Sequence, residues 1–250
     1  MIIDHPRKED IPALRRLWKQ AFGDSDAFLD GFFGVGFAYD RCRCVFLEGE
    51  VTAALYWFDG ELEGEKIAYL YAIATDLSHR GQGLCRLLMA DTHACLIGRG
   101  YTEAVLLPAE KWLEAFYGAM GYRPFGSVMQ KQYRAGKRCF VRPVDGEEFA
   151  LLRREHLPRG GIRQEGALLR FLATQAELYA GGGFLAAISK ETPKTVVEFL
   201  GDLSQIPGLL GALKLQQATV RTPGGSESCG MYLPLTPDAP VPTYLGLPMD

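Results

Sequence analysis

Apolar residues recur three and four apart at Leu14, Leu17, Trp18 and Phe22. That spacing predicts an amphipathic helix. Asp10 is placed to cap it, Pro12 falls in its first turn where a missing N–H is harmless, and Gly23 ends it. Ile2 and Ile3 suit a short strand ahead of it. A second short helix is expected from Ser25, carrying Phe28, Leu29, Phe32 and Phe33. Strand patterns follow at residues 43–47 and 51–58 around the turn Glu48-Gly49-Glu50, and Asp59-Gly60 opens a second turn region. Residues 66–75 read as the next strand, apolar from Ala68 onward. After a polar break, Leu84, Leu87, Leu88, Ala94 and Cys95 give a helical pattern that stops at Gly98-Arg99-Gly100. Residues 104–107 form a fully apolar run, expected as a buried strand. Residues 111–120 are helical in pattern and stop at Gly121. A last strand pair is expected around residues 128–133.

The rest of the chain has a different rhythm. Residues 145–156 and 164–179 are helical patterns, with breaks at Arg159-Gly160-Gly161 and Gly181-Gly182-Gly183. Strands are expected at 184–189, 195–200, 215–222 and 229–233, with a short helix at 209–213 and a final strand at 243–247. This order predicts helices followed by an antiparallel meander with one helix inside it.

Composition narrows the classes. A chain of 250 residues suits one large domain or two small ones. The net charge of −3 leaves no basic stripe for nucleic acid and no lysine cluster for a membrane surface. The polar stretch 1–10 is not a signal peptide, and no apolar run spans a bilayer. The six cysteines are scattered, and Cys42-x-Cys44 lacks a second pair at zinc-finger spacing. Reduced thiols in a cytoplasmic protein without a metal site are therefore expected.

The chemistry concentrates between the strand at 66–75 and the helix at Leu84. Strand, glycine loop and helix start form a phosphate-binding arrangement. Glycines let the backbone approach an anion, and the first helical amides lack internal partners at the positive end of the helix dipole. A dinucleotide fingerprint is excluded because Arg86 stands where its third glycine belongs. A P-loop is excluded because Leu84 follows Gly83. The run Arg80-Gly81-Gln82-Gly83-Leu84-Cys85 resembles motif A of the GCN5-related N-acetyltransferases (GNAT), Gln/Arg-x-x-Gly-x-Gly/Ala. Cys85 departs from the usual Gly or Ala but is small, and Leu77 stands where a proline is common. Downstream, Phe116-Tyr117-Gly118-Ala119-Met120-Gly121-Tyr122 looks like motif B of the same family. Glu110 stands where the family often has Asn.

The resemblance implies an α/β (α+β) acyl-CoA N-acyltransferase fold with a mixed, mostly antiparallel sheet. The chain is similar to the tandem acetyltransferases related to the enhanced-intracellular-survival family, whose second copy is degenerate. A catalytic domain at 1–138 and a degenerate second domain at 139–250 are expected. No glycine loop occurs in the second half, so it is not expected to bind coenzyme A. Acetyl-CoA is the implied cosubstrate. Its pyrophosphate would sit on the amides of Gly81, Gln82, Gly83, Leu84, Cys85 and Arg86, with Arg80 either on a phosphate or in a surface salt bridge. Its pantetheine arm would pair with Ile73, Ala74 and Thr75 as an added strand. Direct attack by a primary amine would complete transfer, with Tyr117 as proton donor to the departing thiolate. The alternative for Tyr117 is a tyrosine packed at the core edge. Glu110, Asp76, Tyr71, His79 and a water chain are the alternatives for the base, and the terminal carboxylate of Asp250 is a further one. The acceptor, a small-molecule or peptide amine, is left open, with acidic loops such as Glu61-Leu62-Glu63 able to attract a cation. The second domain is expected either to close the acceptor cleft or to form a homodimer interface. A non-catalytic acyl-CoA sensor or interaction module is the other function class.

Overall fold

The computed structural model describes residues 1–247. Asp250 lies outside them. The chain forms two compact units. One holds Met1–Gly60, Gly64–Arg123 and Tyr232–Pro240; the other holds Glu61–Glu63, Pro124–Met231 and the segment from Val241. The boundary between units therefore falls at 123/124 rather than at 138/139, and the chain returns to the first unit late. Among the described residues no helix is long and apolar enough to cross a membrane.

The first unit is built on β1 (Ile2–Asp4), α1 (Ile11–Phe22), α2 (Asp26–Gly31), β2 (Cys42–Leu47), β3 (Glu50–Leu62), β4 (Glu65–Thr75), α3 (Leu84–Gly98), β5 (Glu103–Leu106) and α4 (Trp112–Gly118). Its sheet runs β1-β2-β3-β4-β5 and continues into a late strand, given below as β14. Gly23 ends α1 in the left-handed region, its N–H returning to Lys19 O. Ser25 caps α2 by accepting from Phe28 N–H. Asp10 does not cap α1: its carboxylate turns back to the Arg7 amide at 2.7 Å. The turn expected at Asp59-Gly60 is strand instead, because Asp59 accepts from the Tyr101 hydroxyl and from Arg41 at 3.0 Å. The chain reverses four residues later, where Glu63 and Gly64 hold φ of 53° and 91°.

The remainder comprises β6 (Arg123–Phe125), β7 (Val128–Arg134), β8 (Val141–Pro143), α5 (Gly146–His156), β9 (Arg163–Gln164), α6 (Ala167–Gln175), β10 (Ala176–Gly181), β11 (Phe184–Ser189), β12 (Thr195–Gly201), α7 (Ile206–Ala212), β13 (Gln217–Pro223) and β14 (Gly230–Pro234). The second sheet is ordered β7-β13-β12-β11-β10-β8. The strand at 128–133 thus pairs with β13, not with its sequence neighbour. The helix expected to reach Tyr179 stops at Gln175, and the alternating burial of residues 176–180 belongs to a strand. The meander is not wholly antiparallel: β12 and β13 are parallel, joined through α7. Residues 243–247 make only an isolated bridge, Gly161 to Tyr244. Two of their carbonyls are taken by side chains, Leu245 O by Arg221 and Leu247 O by Gln164.

Both units repeat one plan. Antiparallel β2-β3-β4 leads through α3 to parallel β5, and antiparallel β10-β11-β12 leads through α7 to parallel β13. The strand before each crossover is followed by the same tripeptide, Asp76-Leu77-Ser78 and Asp202-Leu203-Ser204. In both, the aspartate accepts the serine N–H at 2.9 Å and opens a 3-10 turn. The second copy moves from this turn straight into α7, without an equivalent of Arg80-Gly81-Gln82-Gly83.

One buried group in the first sheet has a measurable consequence. Glu103 is fully buried beside Ile67, and neither carboxylate oxygen has a partner among the described residues. Desolvation raises its pKa to about 8. The folded state therefore holds a proton that the unfolded chain releases above its ordinary value of 4.5. Stability is expected to fall by at most about 1.4 kcal/mol per pH unit as pH rises between those values. Urea titrations of Glu103→Gln should lack this slope. An equal slope in both proteins would place the ionisation elsewhere.

Candidate active site

The site forms where β4 leaves β5. The two strands pair in parallel at Ile67, Ala68 and Tyr69. Ala72 then takes a left-handed φ of 48°, an uncommon conformation for a residue with a Cβ. Ile73, Ala74 and Thr75 lie beyond the recorded pairing, Ala74 buried and its two neighbours half-buried. The Asp76 amide reaches back to Thr52 O at 2.8 Å and fixes the end of the strand against β3.

The loop is held from its own residues. The Asp76 carboxylate accepts from Ser78 N–H at 2.9 Å, lies 3.1 Å from His79 Nδ1 and is hydrogen-bonded by the Ser78 hydroxyl. The Ser78 and His79 side-chain bonds hold its pKa down at about 2. Asp76 is thus a poor proton acceptor, and His79 is engaged with it. Arg80 forms no surface salt bridge among the described residues; its Nε donates to Thr75 O at 3.2 Å. Gly81 and Gly83 sit at φ of 76° and 78°, where a side chain is strained. A Cβ on either would meet nothing within 4 Å, so the backbone here is bare to an approaching ligand. The first recorded bond of α3 runs from Leu87 N–H to Gly83 O at 3.1 Å. The preceding helical amides have no intrahelical acceptor. This bare amide cradle fits an anionic phosphate.

α4 is brought against the start of α3. The Arg86 guanidinium lies 5.2 Å from the Phe116 ring centre. Tyr117 is buried, and its hydroxyl is pushed above the ordinary tyrosine value by desolvation and then by Cys85. Burial raises the Cys85 thiol to about 11, so it is not a ready thiolate. The Tyr117 ring meets Tyr122 edge-on at 5.9 Å, and Tyr122 hydrogen-bonds His93 Nε2 at 2.8 Å. Burial lowers the pKa of His93 to about 4. The pattern of motif B had picked out Tyr117 and Tyr122, but nothing in the sequence linked His93 to them. Glu110 is not turned to the loop: its carboxylate accepts from Trp112 Nε1 at 2.6 Å. Glu61, in the acidic run expected to attract cations, is paired with Arg163 at 2.7 Å.

A sheet whose strands part beside a glycine loop at a helix N-terminus can hold an anionic, phosphate-bearing ligand. The acetyltransferase (GNAT) domain model matches residues 3–125. No curated protein matches the sequence. Among solved structures, a GCN5-related N-acetyltransferase from Kribbella flavida is 15% identical over 92% of this chain and 70% of its own, with a TM-score of 0.70. One from Anabaena variabilis is 14% identical over 94% and 73%, also at 0.70. Eis1 from Mycobacterium abscessus is 16% identical over 91% and 66%, at 0.64. At these identities the likeness is one of fold. It covers residues of both units.

Proposed function

We propose that this protein transfers the acetyl group of acetyl-CoA directly to a primary amine in a ternary complex. The observation that carries the proposal is the bare amide cradle at Gly81 and Gly83, opening α3 beside the part of β4 that lies beyond its pairing with β5. In this reading the first unit is catalytic. The second, which has the Asp202-Leu203-Ser204 turn without the glycine loop, binds no cofactor. Its proposed role is a homodimer interface. The scattered free cysteines suit a cytoplasmic setting.

Acetyl-CoA supplies an activated thioester, so no protein nucleophile is required. The amides of Gly81, Gln82, Gly83, Leu84, Cys85 and Arg86 bind its pyrophosphate, with Arg80 alongside. Ile73, Ala74 and Thr75 offer backbone groups to the pantetheine arm and hold the thioester carbonyl. Tyr117 gives its proton to the departing sulfur. A water chain takes the amine proton, because Asp76 is held at about 2 and Glu110 is engaged with Trp112.

Calorimetric titration with acetyl-CoA tests the cradle. One site per chain is expected, weakened at least about 100-fold in Gly83→Trp. The indole would obstruct the cradle, while the left-handed backbone strain is only about 1–2 kcal/mol. Absence of binding to the unaltered protein would overturn the proposal. The second reading is an acyl-CoA-binding sensor, favoured by Glu110 standing where the family often has Asn. It would bind the cofactor and show no Tyr117-dependent turnover with any amine.

A further inference from the structure

A cluster of aromatic rings stands beside the strand proposed to hold the thioester, and it carries a more specific signal. Trp18 of α1 and Phe32, in the turn after α2, are buried against Tyr56 and Phe58 of β3 and Tyr71 of β4. Around this floor, Phe28, Phe33, Phe37 and Tyr71 are only half-buried. Phe33 and Phe37 are in ring contact at 5.2 Å, and Phe33 reaches the floor at Phe32, 5.3 Å away. Tyr71 joins this aromatic surface to the strand, two residues ahead of Ile73. An amine attacking a thioester held along residues 73–75 therefore arrives beside rings.

The acids of this region are already engaged. Asp24 accepts from Trp18 Nε1 at 2.7 Å. Asp26 is paired with Lys19 at 2.6 Å and Arg15 at 3.5 Å, and Asp30 with Arg15 at 2.7 Å. Asp76 is tied to Ser78 and His79. The Arg15 guanidinium itself lies 5.6 Å from the Phe33 ring centre, so a cation already holds that face. A polycationic acceptor would have to displace these partners.

Resting on the acetyltransferase reading, we infer that the acceptor is a small primary amine with an aromatic or apolar body, not a polyamine or aminoglycoside. Aromatic walls reward burial of an apolar body and stack with a ring. They also disfavour the ammonium form by desolvation. That supplies free amine in a site without a poised carboxylate base.

The test measures kcat/KM for CoA release with 2-phenylethylamine, ethylamine and spermidine, on the unaltered protein and on Phe33→Ala. The 2-phenylethylamine value is expected to exceed each of the others at least about tenfold. In Phe33→Ala its advantage over ethylamine should shrink by about tenfold, while acetyl-CoA affinity by calorimetry stays unchanged. Spermidine matching or exceeding 2-phenylethylamine would overturn the inference, as would an advantage unaffected by Phe33→Ala. If no amine is acetylated, the transfer reading falls on its own. Titration of 2-phenylethylamine into the protein with CoA still decides the aromatic site: saturable binding weakened in Phe33→Ala upholds it, and no binding overturns it.

Discussion

Tyr117→Phe is expected to lower kcat about 100-fold or more, with acetyl-CoA affinity changed less than about threefold. General acid catalysis by a placed side chain is worth about 10²–10⁴. The substitution removes the hydroxyl and keeps the ring that packs against Phe116 and Tyr122. Burial and Cys85 hold the hydroxyl above the ordinary tyrosine value, so it stays protonated at every working pH. The alkaline side of the pH–rate profile should therefore have no limb that disappears in Tyr117→Phe. The check is CoA release over a pH series beside calorimetry of each protein. A variant with unaltered kcat would reduce Tyr117 to a packing residue. One that lost affinity and kept kcat would make it a cofactor contact.

The second large effect lies in the second unit. Arg153 and Glu198 are fully buried and joined twice, Nε to Oε2 at 2.8 Å and Nη2 to Oε1 at 2.9 Å. Gln164, the Ile162 carbonyl and the Tyr244 hydroxyl complete the network at 3.0, 3.3 and 3.0 Å. Glu198→Ala strands the guanidinium without its counter-charge, at a cost of about 3–5 kcal/mol. The urea midpoint of this unit should fall by roughly 1 M or more. Gly246→Ala should act on the same network, because a Cβ there would stand 1.6 Å from Glu198 Oε1. Replacing both charges at once, Arg153→Met with Glu198→Leu, should recover most of the loss, since the penalty comes from the unpaired charge. Failure of the double variant to recover would show that packing around Gly246, not charge, sets the cost.

Much of the first unit was legible because its signals are local. Gly23, Ser25, Glu48-Gly49 and Gly100 punctuate elements through φ preference or a side-chain cap, and each does so where the sequence places it. The glycine loop was legible for the same reason. Misreadings came where a competing partner, near or far, overruled a local preference. Asp59-Gly60 has turn chemistry, yet Asp59 accepts from Tyr101, far along the chain, and the strand runs on. Asp10 has cap chemistry, yet a nearer amide took its carboxylate. Residues 176–180 fit a helix or a strand by composition, and pairing with β11 chose the strand. The repeated Asp-Leu-Ser was present in the sequence all along. Its meaning emerged only when both copies closed the same turn ahead of a parallel crossover.

The sequence by itself determined the strand–glycine loop–helix unit, the place of Tyr117 after it, and the absence of a second such loop, because backbone freedom and helix capping act over a few residues. The tertiary structure decided which long-range pairings won. It sent residues 128–134 to β13, drew β14 into the first sheet, and buried Glu103 without a partner among the described residues. It also gathered Phe33, Phe37 and Tyr71 onto one surface and engaged the acids around them. Those outcomes depend on burial and on partners far apart in the chain, and no local propensity encodes them.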